Sequence, residues 1–199
     1  MTFLMRIARS IDLLNGAIGK LAMWLILAAT LISAGNAISR KAFNLSSNAF
    51  LEIQWYLFGA VFMLGGGYAF LRNAHVRIDV LSSRLSARAR NWIDVLGIVV
   101  FLFPLCYMLA SMGWPVFARA WASGEVSSSA GGLIRWPVYG LIPLGFALLA
   151  LQGASELIKR LNFLFGGGED PLSHSGPSET ELLAKEIAAE ESAALEARK

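Results

Sequence analysis

The 199-residue chain is 56% hydrophobic and 16% charged, against roughly 25% charge in soluble globular chains, so a soluble domain of this size could not bury its apolar surface. One cysteine (Cys106) and two histidines (His75, His174) exclude an intrachain disulfide and a Cys/His zinc site. The net charge of +3 and a pI near 9.2 raise the question of nucleic acid, but the basic residues sit where lipid headgroups would meet them, and no nucleic-acid partner is expected.

Four apolar runs reach the roughly 20 residues that cross a bilayer: Ile18–Ile38, Ala49–Leu71, Ile93–Trp114 and Pro137–Ile158. None alternates like a barrel strand, and hydrocarbon leaves backbone amides no partner outside the segment, so all four are predicted helices. The expected class is an all-α membrane protein with four transmembrane helices and short interfacial amphipathic helices. Before span one, Phe3–Leu14 carries Ile7, Ile11 and Leu14 beside Arg6 and Arg9, which suits such an interfacial helix. The segment reads as retained rather than as a cleaved signal, because about 20 residues precede the apolar core. Span two carries Gly59 and Gly65-Gly66-Gly67. Gly59 and Gly66, seven apart, predict a face where another helix approaches closely. Pro104 predicts a kink in span three.

Between spans two and three, Arg77, Arg84 and Arg88 share one helical face, and Ile78, Leu81, Leu85 and Trp92 form an apolar stripe next to it. Ser86 is a candidate N-cap for the helix that becomes span three. Ten basic residues lie with the N-terminus, the 72–92 loop and the end of span four. Four (Arg40, Lys41, Arg119, Arg135) lie on the other side. This asymmetry predicts both termini in the cytoplasm. Residues 1–165 are read as the membrane domain. Residues 166–199 are read as a cytoplasmic glycine linker and an acidic, partly helical tail with eight acidic and three basic residues. In the tail, Ser178 and Glu181 form a capping box ahead of Leu182, Leu183, Ile187 and Leu195.

Little in the chain carries chemistry. Gly19-Lys20 is followed by Leu, so there is no phosphate loop. Nucleophile-elbow and H-E-x-x-H motifs are also absent. Glu52, Asp94 and Glu156 fall near span ends, and no charge occupies the middle third of a span. No enzymatic activity, metal or cofactor is expected.

Three segments carry a resemblance. Glu52-Ile53-Gln54-Trp55-Tyr56-Leu57-Phe58 opens span two. Leu71-Arg72-Asn73-Ala74-His75-Val76-Arg77-Ile78-Asp79-Val80 follows it. Gly131-Gly132-Leu133-Ile134-Arg135-Trp136-Pro137 leads to Ile142-Pro143-Leu144-Gly145-Phe146, with Gln152 and Glu156 beyond. In this order and spacing, over about residues 10–162, the chain resembles the small, DctQ-like membrane subunit of TRAP (tripartite ATP-independent periplasmic) transporters. The resemblance implies a multi-pass protein of the bacterial inner membrane. Its partners would be a large multi-span permease subunit, which holds the substrate and sodium sites, and a periplasmic substrate-binding protein. Together they would take up an organic acid, often a carboxylate, by symport. The small subunit would brace the permease and help dock the binding protein. Glu52, Trp55, Arg135 and Trp136 are the candidate subunit or docking contacts. His75, Arg77, Asp79, Arg84 and Arg88 are the candidate cytoplasmic interface. Two other classes stay open: a small independent channel or transporter, which a polar stripe through a span would favour, and the membrane anchor of an enzyme complex, which paired intramembrane histidines would favour.

Overall fold

The computed structural model describes residues 2–44, 47–73, 85–129, 131–168 and 170–171. His75, Arg77, Asp79, Arg84 and the tail from residue 172 lie outside the described residues. Among the described residues four helices make up the fold: α1 (Thr2–Phe43), α2 (Asn48–Leu71), α3 (Ala87–Ser123) and α4 (Trp136–Gly166), each long and apolar enough to cross a membrane. Large apolar side chains such as Trp24, Phe62, Phe101 and Tyr107 point outward along them. In water such a surface would aggregate, whereas in hydrocarbon it is solvated.

The helix ends follow from local chemistry. Asn44 after α1 and Asn73 after α2 adopt positive φ, the left-handed turn that asparagine tolerates best after glycine. Gly124 and Gly167 close α3 and α4 in the same way. Ser86 caps α3 as the sequence predicts, its Oγ accepting from the Ala89 amide at 3.3 Å. Helix α2 matches the expected second span to within one residue. Helix α1 differs from the expectation. Residues 3–14 are helical, but they join span one without a break, because nothing in the sequence interrupts the hydrogen-bond ladder before Asn44. The result is a continuous helix of about 63 Å.

The expected kink at Pro104 takes another form. The turn Ile98–Leu102 is π-helical, and the Phe103 amide reaches back five residues to the Ile98 carbonyl. Proline has no amide to give its own i−4 carbonyl, and the wider turn just before it absorbs the mismatch.

Helix α4 is the most buried and packs against all three others. It runs parallel to α2 and antiparallel to α1 and α3. At Gly145 a β-carbon would lie 2.7 Å from the Met63 backbone oxygen, so only glycine permits this crossing of α4 on α2. Within the α2 glycine cluster the close approach falls at Gly67, backed by Asn15 of α1 and the Leu148 carbonyl of α4, whereas a β-carbon at Gly66 would meet nothing within 4 Å and one at Gly59 only an ordinary contact with Val138. On α1 the buried positions Ala8, Asn15, Ala22 and Ala29 recur every seven residues, the seam of a left-handed helix packing. The start of α1 and the finish of α4 share one end of the bundle, here the terminal end. The finish of α1, the start of α2 and the 124–135 loop share the other, the hairpin end.

Candidate functional site

Two polar assemblies stand out, one at each end. At the hairpin end, the 124–135 loop folds back on itself. Val126 pairs with Ile134, Ser127 N–H donates to the Leu133 carbonyl at 2.9 Å, and Arg135 N–H donates to the Glu125 carbonyl at 2.9 Å. Glu52, in the first turns of α2, holds this loop. One carboxylate oxygen accepts from the Ser127 hydroxyl, and the other accepts from the Leu133 amide at 2.8 Å. Its carboxylate thus faces this loop rather than lipid.

Arg135 donates to Glu125 at 3.2 Å and to the Tyr139 hydroxyl at 3.3 Å. The Tyr139 hydroxyl, and after it Glu125, push the guanidinium pKa further above its usual value, so Arg135 stays charged. Trp136 packs edge-on to Trp121 at 4.5 Å, within an aromatic cluster with Phe117 and Trp114. Trp55 is 75% exposed. The structure therefore joins Glu52 and Arg135 through one loop, builds Trp136 into an aromatic base and leaves Trp55 outward.

The terminal end holds an assembly of which the sequence singles out Asp94 and Glu156, near span ends, and Gln152, but not the connections between them. Gln152 of α4 is fully buried. It accepts from Asn15 Nδ2 at 2.9 Å and donates to Asp12 Oδ1 at 2.9 Å. The single Ser155 hydroxyl proton lies between Asp12 Oδ1 at 2.7 Å and the Ala8 carbonyl at 3.1 Å. Lys159 bridges Asp12 at 2.7 Å and Glu156 at 2.8 Å. Arg160, 1% exposed, pairs with Glu156 through Nη1 and with Asp94 of α3 through Nη2 at 3.1 Å and Nε at 3.2 Å. One connected set thus ties α1, α4 and α3. Buried charges are tolerated only when paired and hydrogen-bonded, and here each carboxylate and cation has a partner on another residue of the set.

This set was detectable. Gln152, Ser155, Glu156, Lys159 and Arg160 fall at i, i+3, i+4, i+7 and i+8, one face of a helix. Their partners Asp12, Asn15 and Asp94 come from other helices and carry no comparable signal. Of the expected cytoplasmic interface, Arg88 is described and lies exposed in the first turn of α3.

Among the described residues no group of His, Cys, Asp and Glu could hold a metal ion. Between the two ends the helices carry no charge: residues 21–39, 53–71, 95–118 and 136–155 contain no Asp, Glu, Lys or Arg. The fold defines a multi-pass membrane protein whose described charges tie its helices together at the two ends. A family model described as "Tripartite ATP-independent periplasmic transporters, DctQ component" matches residues 29–163. The chain belongs to this family and is a small membrane subunit of a TRAP transporter. Neither a curated protein nor a solved structure matches the chain.

Proposed function

We propose that this subunit is a static brace in the bacterial inner membrane. It holds the scaffold of a large permease subunit, and its hairpin end helps dock a periplasmic substrate-binding protein during sodium-coupled uptake of an organic acid, a carboxylate by preference. The observation that carries this reading is the uncharged interior between two tied ends. A charged substrate or sodium ion crossing the bundle would need compensating groups at mid-depth. Instead the crossings are sealed by close contacts such as Gly145 on Met63. The polar set of Asp12, Gln152, Lys159, Glu156 and Arg160 keeps the helices in one arrangement, as a brace requires.

The terminal end faces the cytoplasm in this reading, which rests on the ten-to-four basic asymmetry. Arg88, with His75, Arg77, Asp79 and Arg84, forms a rim for headgroups or the permease. At the hairpin end, Glu52 shapes the 124–135 loop from within, Trp55 and Arg135 offer outward contacts, and Trp136 backs Arg135 from its aromatic cluster. Copurification tests the partnership. An affinity tag on this chain is expected to retain the large permease subunit from detergent-solubilised membranes in a fixed ratio. Recovery of this chain alone, from membranes that contain both, would count against the brace.

A further inference from the structure

The chain holds four tyrosines, and three stand at the ends of spans. Tyr56, Tyr68 and Tyr139 each lie four residues from a charged side chain, Glu52, Arg72 and Arg135 respectively. Two of these hydroxyls are engaged there. Arg72 Nε donates to Tyr68 at 3.2 Å, and Arg135 Nη1 donates to Tyr139 at 3.3 Å. Tyrosine suits such boundaries, because its ring meets hydrocarbon while its hydroxyl meets water or a charge. Tyr107 stands elsewhere. It is central in the uncharged stretch of α3, 13 residues from Asp94 and 12 from Arg119. That is about 20 Å and about 18 Å along the helix, whereas a hydrocarbon core ends about 15 Å from its middle. The side chain is too short to carry its hydroxyl to either face.

Tyr107 is also 78% exposed, and among the described residues nothing bonds its hydroxyl. The packing leaves this flank open, since α3 lies along α4 and makes no comparable contact with α1 or α2. Steps of four residues from Tyr107 reach Ser111, Pro115 and Arg119, all exposed. The Ser111 hydroxyl donates to the Met108 carbonyl at 2.8 Å, and Arg119 Nε donates to the Pro115 carbonyl at 3.3 Å. Pro115 has no amide to give the Ser111 carbonyl. At mid-depth the row thus presents a hydroxyl without an acceptor, and one turn on a carbonyl without its helical donor. Lipid tails supply neither group.

We propose that the Tyr107–Arg119 row of α3 seats a transmembrane helix of the large permease subunit, with the Tyr107 hydroxyl donating to an oxygen acceptor on that helix. The occupant must carry an acceptor at the membrane midplane. The substrate-bearing subunit of a secondary transporter is such a partner, because its interrupted helices expose carbonyls at that depth. The family makes this chain one component of a tripartite transporter. A second copy fits less well. A twofold axis along the membrane normal would set hydroxyl against hydroxyl, and two such groups share only one hydrogen bond. The proposal rests on the permease as partner and adds the helix of this chain that meets it.

Photo-crosslinking in native membranes that hold the complete transporter tests it. p-Benzoylphenylalanine at position 107 is expected to join the large subunit, identified by mass spectrometry of the joined peptides. The control is the same probe at position 62. Phe62 is 81% exposed and central in the uncharged stretch 53–71 of α2, and its site is expected not to join the large subunit. Tyr107→Phe keeps the ring and removes only the hydroxyl. It is expected to lower the amount of large subunit retained with this chain in detergent about threefold, with the melting temperature of the isolated chain unchanged. Three results would overturn the proposal while the large subunit still copurifies with the native chain. One is joining from position 62 equal to or above that from position 107. Another is joining from position 107 to a second copy of this chain, or to lipid alone. The third is full retention by Tyr107→Phe. Failure of the native chain to copurify with the large subunit would instead defeat the bracing role itself, and this proposal with it.

Discussion

At the scale of single residues, the two ends respond differently to substitution. Arg160 is buried between Glu156 and Asp94. Removing one partner of a buried pair leaves the other's charge uncompensated, at a cost of about 3–5 kcal/mol. Arg160→Met is therefore expected to lower the melting temperature in detergent sharply, and Arg160→Met with Glu156→Gln to recover part of the loss. Equal melting of the first variant and the native chain would mean that the set bears no load. Gln152→Leu removes a donor and an acceptor at once, leaving Asn15 and Asp12 short of partners. A cost of about 1–3 kcal/mol is expected, read from the same melting curve. Arg135 is different, because its side chain is 34% exposed and its pair with the exposed Glu125 is screened by solvent. Arg135→Glu is expected to leave membrane abundance intact while uptake by the full transporter falls several-fold. A fall only in step with lost protein would reduce Arg135 to an anchor at the headgroups. Single residues were legible in the sequence where their chemistry is local. Ser86 announces its cap by type and position. Glu52 does not announce its partner, because that partner is the Leu133 backbone amide, placed by a loop 81 residues away.

Among the elements, helix existence was legible and helix continuity was not. Hydropathy bounded α2 well, since Asn48 and Arg72 flank an apolar run whose only charged residue is Glu52. It split α1 in two because polarity changes near Lys20, yet a change in polarity does not stop a helix. The seam of α1 was present in the seven-residue recurrence of Ala8, Asn15, Ala22 and Ala29, but small residues are too common in membrane helices to stand out. On α2 the glycine pattern pointed one residue away from the true crossing. Rotation about a helix axis is fixed by the partner's shape, and a sequence does not display that shape. The crossings give a clean comparison. Gly145→Val drives a side chain into the Met63 carbonyl and is expected to destabilise α4 against α2. Gly66→Ala meets open space and should be neutral or gain up to about 1 kcal/mol from helix propensity. Melting curves of the two variants that coincide would contradict the packing described for α4.

Across the whole molecule, two tied ends enclose an uncharged bundle, and the family places that bundle within a three-component transporter. Reporter fusions after Lys41 and Glu125 are expected to report the periplasm, and a fusion after Ser83 the cytoplasm. A cytoplasmic signal at Glu125 would contradict the proposed orientation. The central claim, that this subunit supports transport without conducting, is tested most directly by uptake into liposomes. The purified chain alone is expected to show no sodium-dependent uptake of radiolabelled carboxylates above protein-free vesicles. Uptake is expected once the large subunit and the binding protein are supplied with it. Sodium-dependent uptake by this chain alone would contradict the account.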